Sequence, residues 1–400
     1  MSSAMALPKV LFSIIILAAV GQMTQTMYIP SVPLMAEGFA VSAANLQAVM
    51  ACYLIPYGLS QFFYGPLSDR VGRKPVIIAG LVIYVLGTCM ALMADSFAVF
   101  LAASVIQGLG IGCGGAMART IPRDCFSGNR LHRANSLASM GLIFSPLLAP
   151  VLGGTLSTYL PWQASYVFLL ILALSVTGFI VFSFQETLPK ESRQISPVLK
   201  SYTYVFSHRQ FVGHLICLVA TFSGVAVFEA AAGVLLGGTL ALDAATVSML
   251  FVMPLPGYLL GSWLSTPLAT RVSNPFTLRL GVVATILGAL VITVPGLEGM
   301  VTVSSLIGGA FIYFLGAGIL FPSASTAAIK PFPFHAGTAG ALMGGMQNLV
   351  AGGCTLLASL ASTDSQLHLG MILMLMSFIS ATSLLLTRNN ESESNLEIIT

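Results

Sequence analysis

A chain of 400 residues in which 56% are hydrophobic and only 7% are charged is not an ordinary soluble globule, whose charged share is about a quarter. Its mean hydropathy of +0.93 points to a polytopic membrane protein. A net charge of +3, carried by residues scattered over loops, leaves no footprint for nucleic acid. The six cysteines (52, 89, 113, 125, 217, 354) show no paired spacing and fall mostly in apolar runs, so they read as small buried residues, neither disulfides nor metal ligands.

Hydropathy predicts twelve spans, roughly 10–30, 44–64, 76–94, 97–119, 135–157, 163–184, 211–238, 244–266, 276–295, 301–323, 336–360 and 367–387. The first is long enough to cross a bilayer and lacks a small-residue cleavage site, which makes it a helix and not a signal peptide. The longest polar segment, Gln185 to Gln210, divides the chain into a first half, 1–184, and a second half, 211–387. The tail, 388–400, is polar and acidic and is expected to be disordered.

Charge gives an independent test. With the loop between spans 2 and 3 in the cytoplasm, alternation puts all sixteen Lys and Arg on that side. The opposite side receives Glu37, Asp95, Asp243, Glu298 and Asp364 and no positive residue. A wrong count would scatter these charges, so twelve spans with both termini cytoplasmic are expected. The chain also repeats: Pro66-Leu-Ser-Asp-Arg-Val71 returns 201 residues later as Pro267-Leu-Ala-Thr-Arg-Val272, each copy after the second span of its half. Two parallel six-helix repeats, with a substrate site between them near the midplane, are the layout of a carrier.

Span 1 presents Gln22, Gln25 and Tyr28, which fall along one helical face that must turn away from lipid. Tyr53 and Tyr57 form a second stripe in span 2. The loop after span 2 is the densest knot of charge in the chain, with Asp69, Arg70, Arg73 and Lys74, and with Gly72 for a tight reversal. Span 4 carries small residues at Ser104, Gly108, Gly112 and Ala116, and span 11 at Gly340, Gly344, Asn348 and Gly352; both stripes read as helix packing. Gly108-x-Gly110-x-Gly112 lies inside an apolar span with no preceding strand and is not a nucleotide loop.

Span 5 holds Pro150, Gly153 and Gly154, which give a bent helix that admits a close neighbour. Glu229 is the one carboxylate well inside a span. Burying a charge at that depth costs at least about 2.5 kcal/mol, so Glu229 is the candidate proton site; the bland alternative is a permanently protonated acid bonded to a neighbouring helix. The histidines lie near loops or span ends and form no metal pair. A membrane-embedded enzyme would need paired catalytic groups at depth, which the spans do not offer.

The stretch Gly65-x-x-x-Asp69-Arg70-x-Gly72-Arg73-Lys74 resembles the signature loop of the major facilitator superfamily at every specified position. Pro150, Gly153 and Gly154 resemble the helix-5 motif of its drug and proton antiporters, with Ser145 and Ala149 standing where glycines are usual. Further stretches, Gly21 to Pro30, Met117 to Asp124, Phe228 to Ala230 and Lys330 to Leu342, are similar to multidrug antiporters of the Bcr/CflA type. The resemblance implies an all-α integral membrane protein with the major facilitator fold, lodged as a monomer in a bacterial inner membrane. It also implies exchange of protons for amphipathic, often cationic drugs or detergents, without a cofactor. Gln22, Gln25, Ile29, Tyr53, Tyr57 and Glu229 would line the cavity, with Tyr28 beside them. Asp69, Arg73 and Asp124 would form a charge cluster that stabilises the outward-facing state. One departure stands out: Ser104 occupies the place of a helix-4 arginine often invoked in proton coupling. An exporter of one metabolite and an uptake symporter remain as rival readings.

Overall fold

The computed structural model describes residues 7–126, 145, 148–189, 193, 198–332, 336–360 and 365–387. The early part of span 5, part of the central segment and the tail 388–400 lie outside the described residues. Among the described residues twelve span helices follow one another, with a further short helix at Val198–Phe206 inside the segment 185–210 that was expected as a loop: α1 (Leu7–Thr26), α2 (Gln47–Val71), α3 (Arg73–Leu92), α4 (Phe97–Cys125), α5 (described over 148–159) and α6 (Gln163–Ser183). Then come α7 (Arg209–Ala232), α8 in two pieces (Ala244–Val252 and Leu255–Arg271), α9 (Asn274–Leu297), α10 (Val303–Ile329), α11 (Ala336–Ser359) and α12 (Gln366–Ser383). Ten segments are long and apolar enough to cross a membrane; α2, which ends in Asp69 and Arg70, and the partly described α5 complete the twelve. Among the described residues there is no strand.

Local chemistry sets the ends. Pro30 would clash with the carbonyl four residues back, at Thr26, and there α1 stops. A short turn at Ile29–Ser31 and a helix at Val32–Gly38 follow, so span 1 is not one continuous rod. Ser96, Asp243, Ser273, Thr302 and Ser365 cap helix starts, each accepting a backbone N–H of the first turn. The expected loop between spans 2 and 3 shrinks to Gly72 alone, because α2 and α3 stay helical beyond their apolar stretches.

The two halves pack alike. In the first, α4 lies against α1, α2 and α3, and α3 against α6; in the second, α10 lies against α7, α8 and α9, and α9 against α12. One close approach recurs in both: Gly108 of α4 against the Tyr53 carbonyl of α2, and Gly318 of α10 against the Tyr258 carbonyl of α8. A side chain at either glycine would push the pair apart, so the small-residue stripe in α4 is packing, as its spacing predicts. The repeated Pro66–Val71 and Pro267–Val272 segments lie at the ends of α2 and α8, but the first is capped by Gly72 at φ +113° and the second by Val272 at φ −109°.

Candidate transport site

Glu229 sits in α7, 6% exposed, four residues before the helix widens into a π-helical turn over Gly233–Thr239. Among the described residues it is the one buried carboxyl group. Its Oε2 accepts from Nε2 of Gln25 in α1 at 2.8 Å, which ties the two halves together across their interface. Gln25 is itself 4% exposed, and its Oε1 has no partner. Beside it lies a small cavity, with room for little more than a water molecule, lined by Thr24, Gln25, Tyr28, Val49, Met50, Tyr53, Ser104, Gln107 and Tyr166. That is far below the range of drug-sized pockets, roughly 300–1,000 Å³.

The pathway is closed at both ends. Away from the signature loop, Gly233 packs on Ile29, Gly237 on Pro33, Gly153 of α5 on Met27, and Gly154 of α5 on Ser248 of α8. Toward the signature loop, Gly58 of α2 meets the backbone of Leu349 in α11, Phe62 stacks over Gly345, and the Arg119 guanidinium lies over Gly344. The state is occluded. The antiporter-like residues Gly153 and Gly154 are therefore the positions where α5 touches α1 and the opposite half.

The expected substrate residues separate on inspection. Gln25, Tyr28 and Tyr53 line the cavity, with Tyr53 donating to the Gly21 carbonyl at 2.7 Å. Gln22 is half-buried and outside the lining. Ile29 follows the end of α1 and helps to close the end away from the signature loop, while Tyr57 stacks on Tyr53 at 5.7 Å one turn nearer Arg119. Ser104, Gln107 and Tyr166 were not foreseen as lining residues; Ser104 could have been suspected from its neutral side chain in place of an arginine.

At the signature loop, Arg73 donates to Asp124 at 2.8 and 3.3 Å, to Asp69 at 2.5 Å and to Ser68 at 2.6 Å. Glu186, unassigned from the sequence, caps α3 by accepting from the backbone of Arg73 and Lys74, at 2.9 and 3.1 Å. Gly72 has φ +113°, and a Cβ there would meet Glu186 and Arg193. Gly65 lies within α2 with open space beside it, Arg70 is exposed, and Lys74 donates to the Val181 carbonyl at 2.8 Å. The bonds of Arg73 all stay in the first half. The contacts of Asp69, Arg73 and Asp124 are those of the cluster named from the sequence, while at this end the two halves are joined by Phe62, Arg119 and the α11 glycines.

Two parallel helical halves closing on a buried acid and a small polar cavity define a membrane carrier. The pattern of the Major Facilitator Superfamily matches residues 14–354, and the chain belongs to that family. It is a transporter and not an enzyme. It is 42% identical over 373 residues to Multidrug resistance protein D of Escherichia coli strain K12, covering 93% of each chain. It is 24% identical over 325 residues to the Bicyclomycin resistance protein homolog of Haemophilus influenzae, covering 80% of this chain and 81% of that one. The solved structure of the human organic anion transporter MFSD10 (TETRAN) superposes with a TM-score of 0.65 at 18% identity, over 94% of this chain and 99% of that one, which speaks to fold alone.

Proposed function

We propose that this chain is a multidrug exporter that exchanges protons for amphipathic, often cationic drugs or detergents by alternating access. The observation that carries the reading is the Gln25–Glu229 bond at 2.8 Å between the two halves. A lone carboxyl group at this depth is neutralised either by a proton or by a cationic substrate. Exchange follows if each displaces the other when the halves reopen to the opposite side. The multidrug and bicyclomycin resistance relatives support drugs as the cargo.

In this reading residues 1–184 and 211–387 are the rocking units, and 185–210 is the cytoplasmic link between them. The tail 388–400 and the N-terminus face the cytoplasm of a bacterial inner membrane, and the protein works as a monomer without a cofactor. Asp69, Arg73 and Asp124, with Gly65, Arg70, Gly72 and Lys74 around them, hold the cytoplasmic ends of α2, α3 and α4 as one rigid block. Pro150, Gly153 and Gly154 form the flexing contact of α5.

The test uses inside-out vesicles with an imposed pH gradient and a pH-sensitive dye. A lipophilic cation collapses the gradient in wild type and fails to do so in Glu229→Gln. An equal response in both would remove Glu229 as the coupling site. No response to a varied drug panel would favour export of a single metabolite.

A further inference from the structure

Apart from the path between the halves, α3 and the chain that follows α6 leave a groove of about 820 Å³ at the signature-loop end. Lys74, Pro75 and Ala79 line it from α3, and Glu186, Leu188 and Arg193 from the other side. The α3 wall runs on as an exposed apolar stripe: Pro75, Ala79, Val82 and Leu86 follow one another at steps of four, three and four along one helical face. Phe182, also exposed, stands one residue past the Val181 carbonyl to which Lys74 donates. A contiguous apolar face on a membrane protein is covered by lipid tails, so the groove lies where that face meets the first charges, at the level of the head groups. Its two cations have donors to spare. Lys74 Nζ carries three N–H groups and gives one to Val181 at 2.8 Å. Arg193 Nη2 stands 3.9 Å from Glu186 Oε2, beyond hydrogen-bond reach, and its buried Nε has no partner. Among the described residues Glu186 is the one carboxylate in the lining, and its oxygens already accept from the backbone of Arg73, Lys74 and Leu188 at 2.9, 3.1 and 3.0 Å.

We propose that this groove binds an anionic phospholipid, with its phosphate between Lys74 and Arg193 and one acyl chain along the Pro75–Leu86 stripe of α3. A phosphate diester brings one negative charge and several acceptor oxygens, which suit a lysine point charge and a guanidinium with an unused N–H. A choline head group sets a third cation beside these two and is disfavoured, whereas a glycerol head group is neutral. Free inorganic phosphate satisfies the cations and leaves the apolar wall bare, so the two parts of the site together call for a lipid. Bridging Lys74 and Arg193, that lipid also fastens the start of α3 to the segment 185–210, beside the point where Glu186 caps the helix.

The experiment counts bound lipid. The full chain, purified in a non-ionic detergent and stripped of lipid, is titrated with dioleoyl-phosphatidylglycerol and with dioleoyl-phosphatidylcholine, and the bound species are resolved by native mass spectrometry. The first phosphatidylglycerol binds about twentyfold tighter than phosphatidylcholine, roughly fivefold for each cation. Arg193→Gln lowers that preference to about fivefold, and Arg193→Gln with Lys74→Gln abolishes it. Lys74→Gln alone gives the same partial fall and serves if Arg193→Gln does not fold. Arg279→Gln, which removes an exposed charge of α9 outside the lining, keeps the wild-type preference. No preference in wild type, or one that survives the double substitution, overturns the proposal. An equal fall in Arg279→Gln overturns it too, since attraction by net charge needs no groove. Displacement of bound phosphatidylglycerol by inorganic phosphate removes the lipid and leaves a phosphate site. These measurements read binding alone, so their failure leaves the export reading as it stands.

Discussion

Arg73 holds two carboxylates at once, but they are not equal partners. Its own side chain is 5% exposed, that of Asp124 is 13% exposed and that of Asp69 is 43% exposed. Taking Asp124 away strands a buried guanidinium, at a cost of about 3 kcal/mol, whereas an exposed pair contributes under about 1 kcal/mol. Asp124→Asn is therefore expected to lower the thermal unfolding temperature of the purified protein well below that of Asp69→Asn. Equal shifts would mean that water screens both pairs. The sequence named all three residues through the signature motif. It could not name Glu186, because a capping carboxylate 113 positions away leaves no periodic or local trace. Gly72 was legible as a turn residue, but its second constraint, the carboxylate pressed against it, exists only in three dimensions.

At the scale of helices, hydropathy located the spans that the described residues show and misjudged several ends. Asp69, Arg70 and Arg73 end the apolar windows, yet the backbone remains helical beyond the apolar stretch, so α2 runs to Val71 and α3 begins at Arg73. At Thr26 the error goes the other way: the apolar run continues through Ile29, and Pro30 stops the helix first. Cap residues mark true starts better than hydropathy does. Asp243 is one, and its Oδ2 and Oδ1 accept from Thr246 Oγ1 at 2.6 Å and from Thr246 N at 3.0 Å. Those bonds, the side-chain one foremost, hold its carboxyl below the usual carboxylate value. A lowered folded value means that the stabilisation is complete above the unfolded value, about 3.9, and fades as pH falls through the folded one. In hydrogen exchange corrected for intrinsic rates, the segment 244–252 is thus less protected in Asp243→Ala than in wild type at pH 7. The two converge in acid below the folded value. A difference that persists unchanged at low pH would show that the cap acts through shape and not through charge.

Over the whole molecule, the repeat was visible in Pro66–Val71 and Pro267–Val272, and the matching contacts of α4 and α10 are its consequence. Glu229, Gln25 and Tyr53 were legible because polar groups in apolar spans need a reason to be there. Gln107 and Tyr166 were not, since a neutral side chain inside one half looks the same in sequence whether it packs or lines a cavity. The occluded geometry also places the moving contact. Gly154 of α5 meets Ser248 of α8, and a Cβ at 154 would lie 2.7 Å from the Ser248 Cβ, so a disulfide there needs the helices to give by about 1 Å. In a background without the six native cysteines, Gly154→Cys with Ser248→Cys is expected to oxidise readily. If alternating access opens the outer end by parting α5 from α8, the oxidised protein stops drug-driven proton exchange and reductant restores it. Wild-type exchange in the fully cross-linked protein would mean that these two helices travel together, and that the opening lies elsewhere, along Ile29 and Gly233.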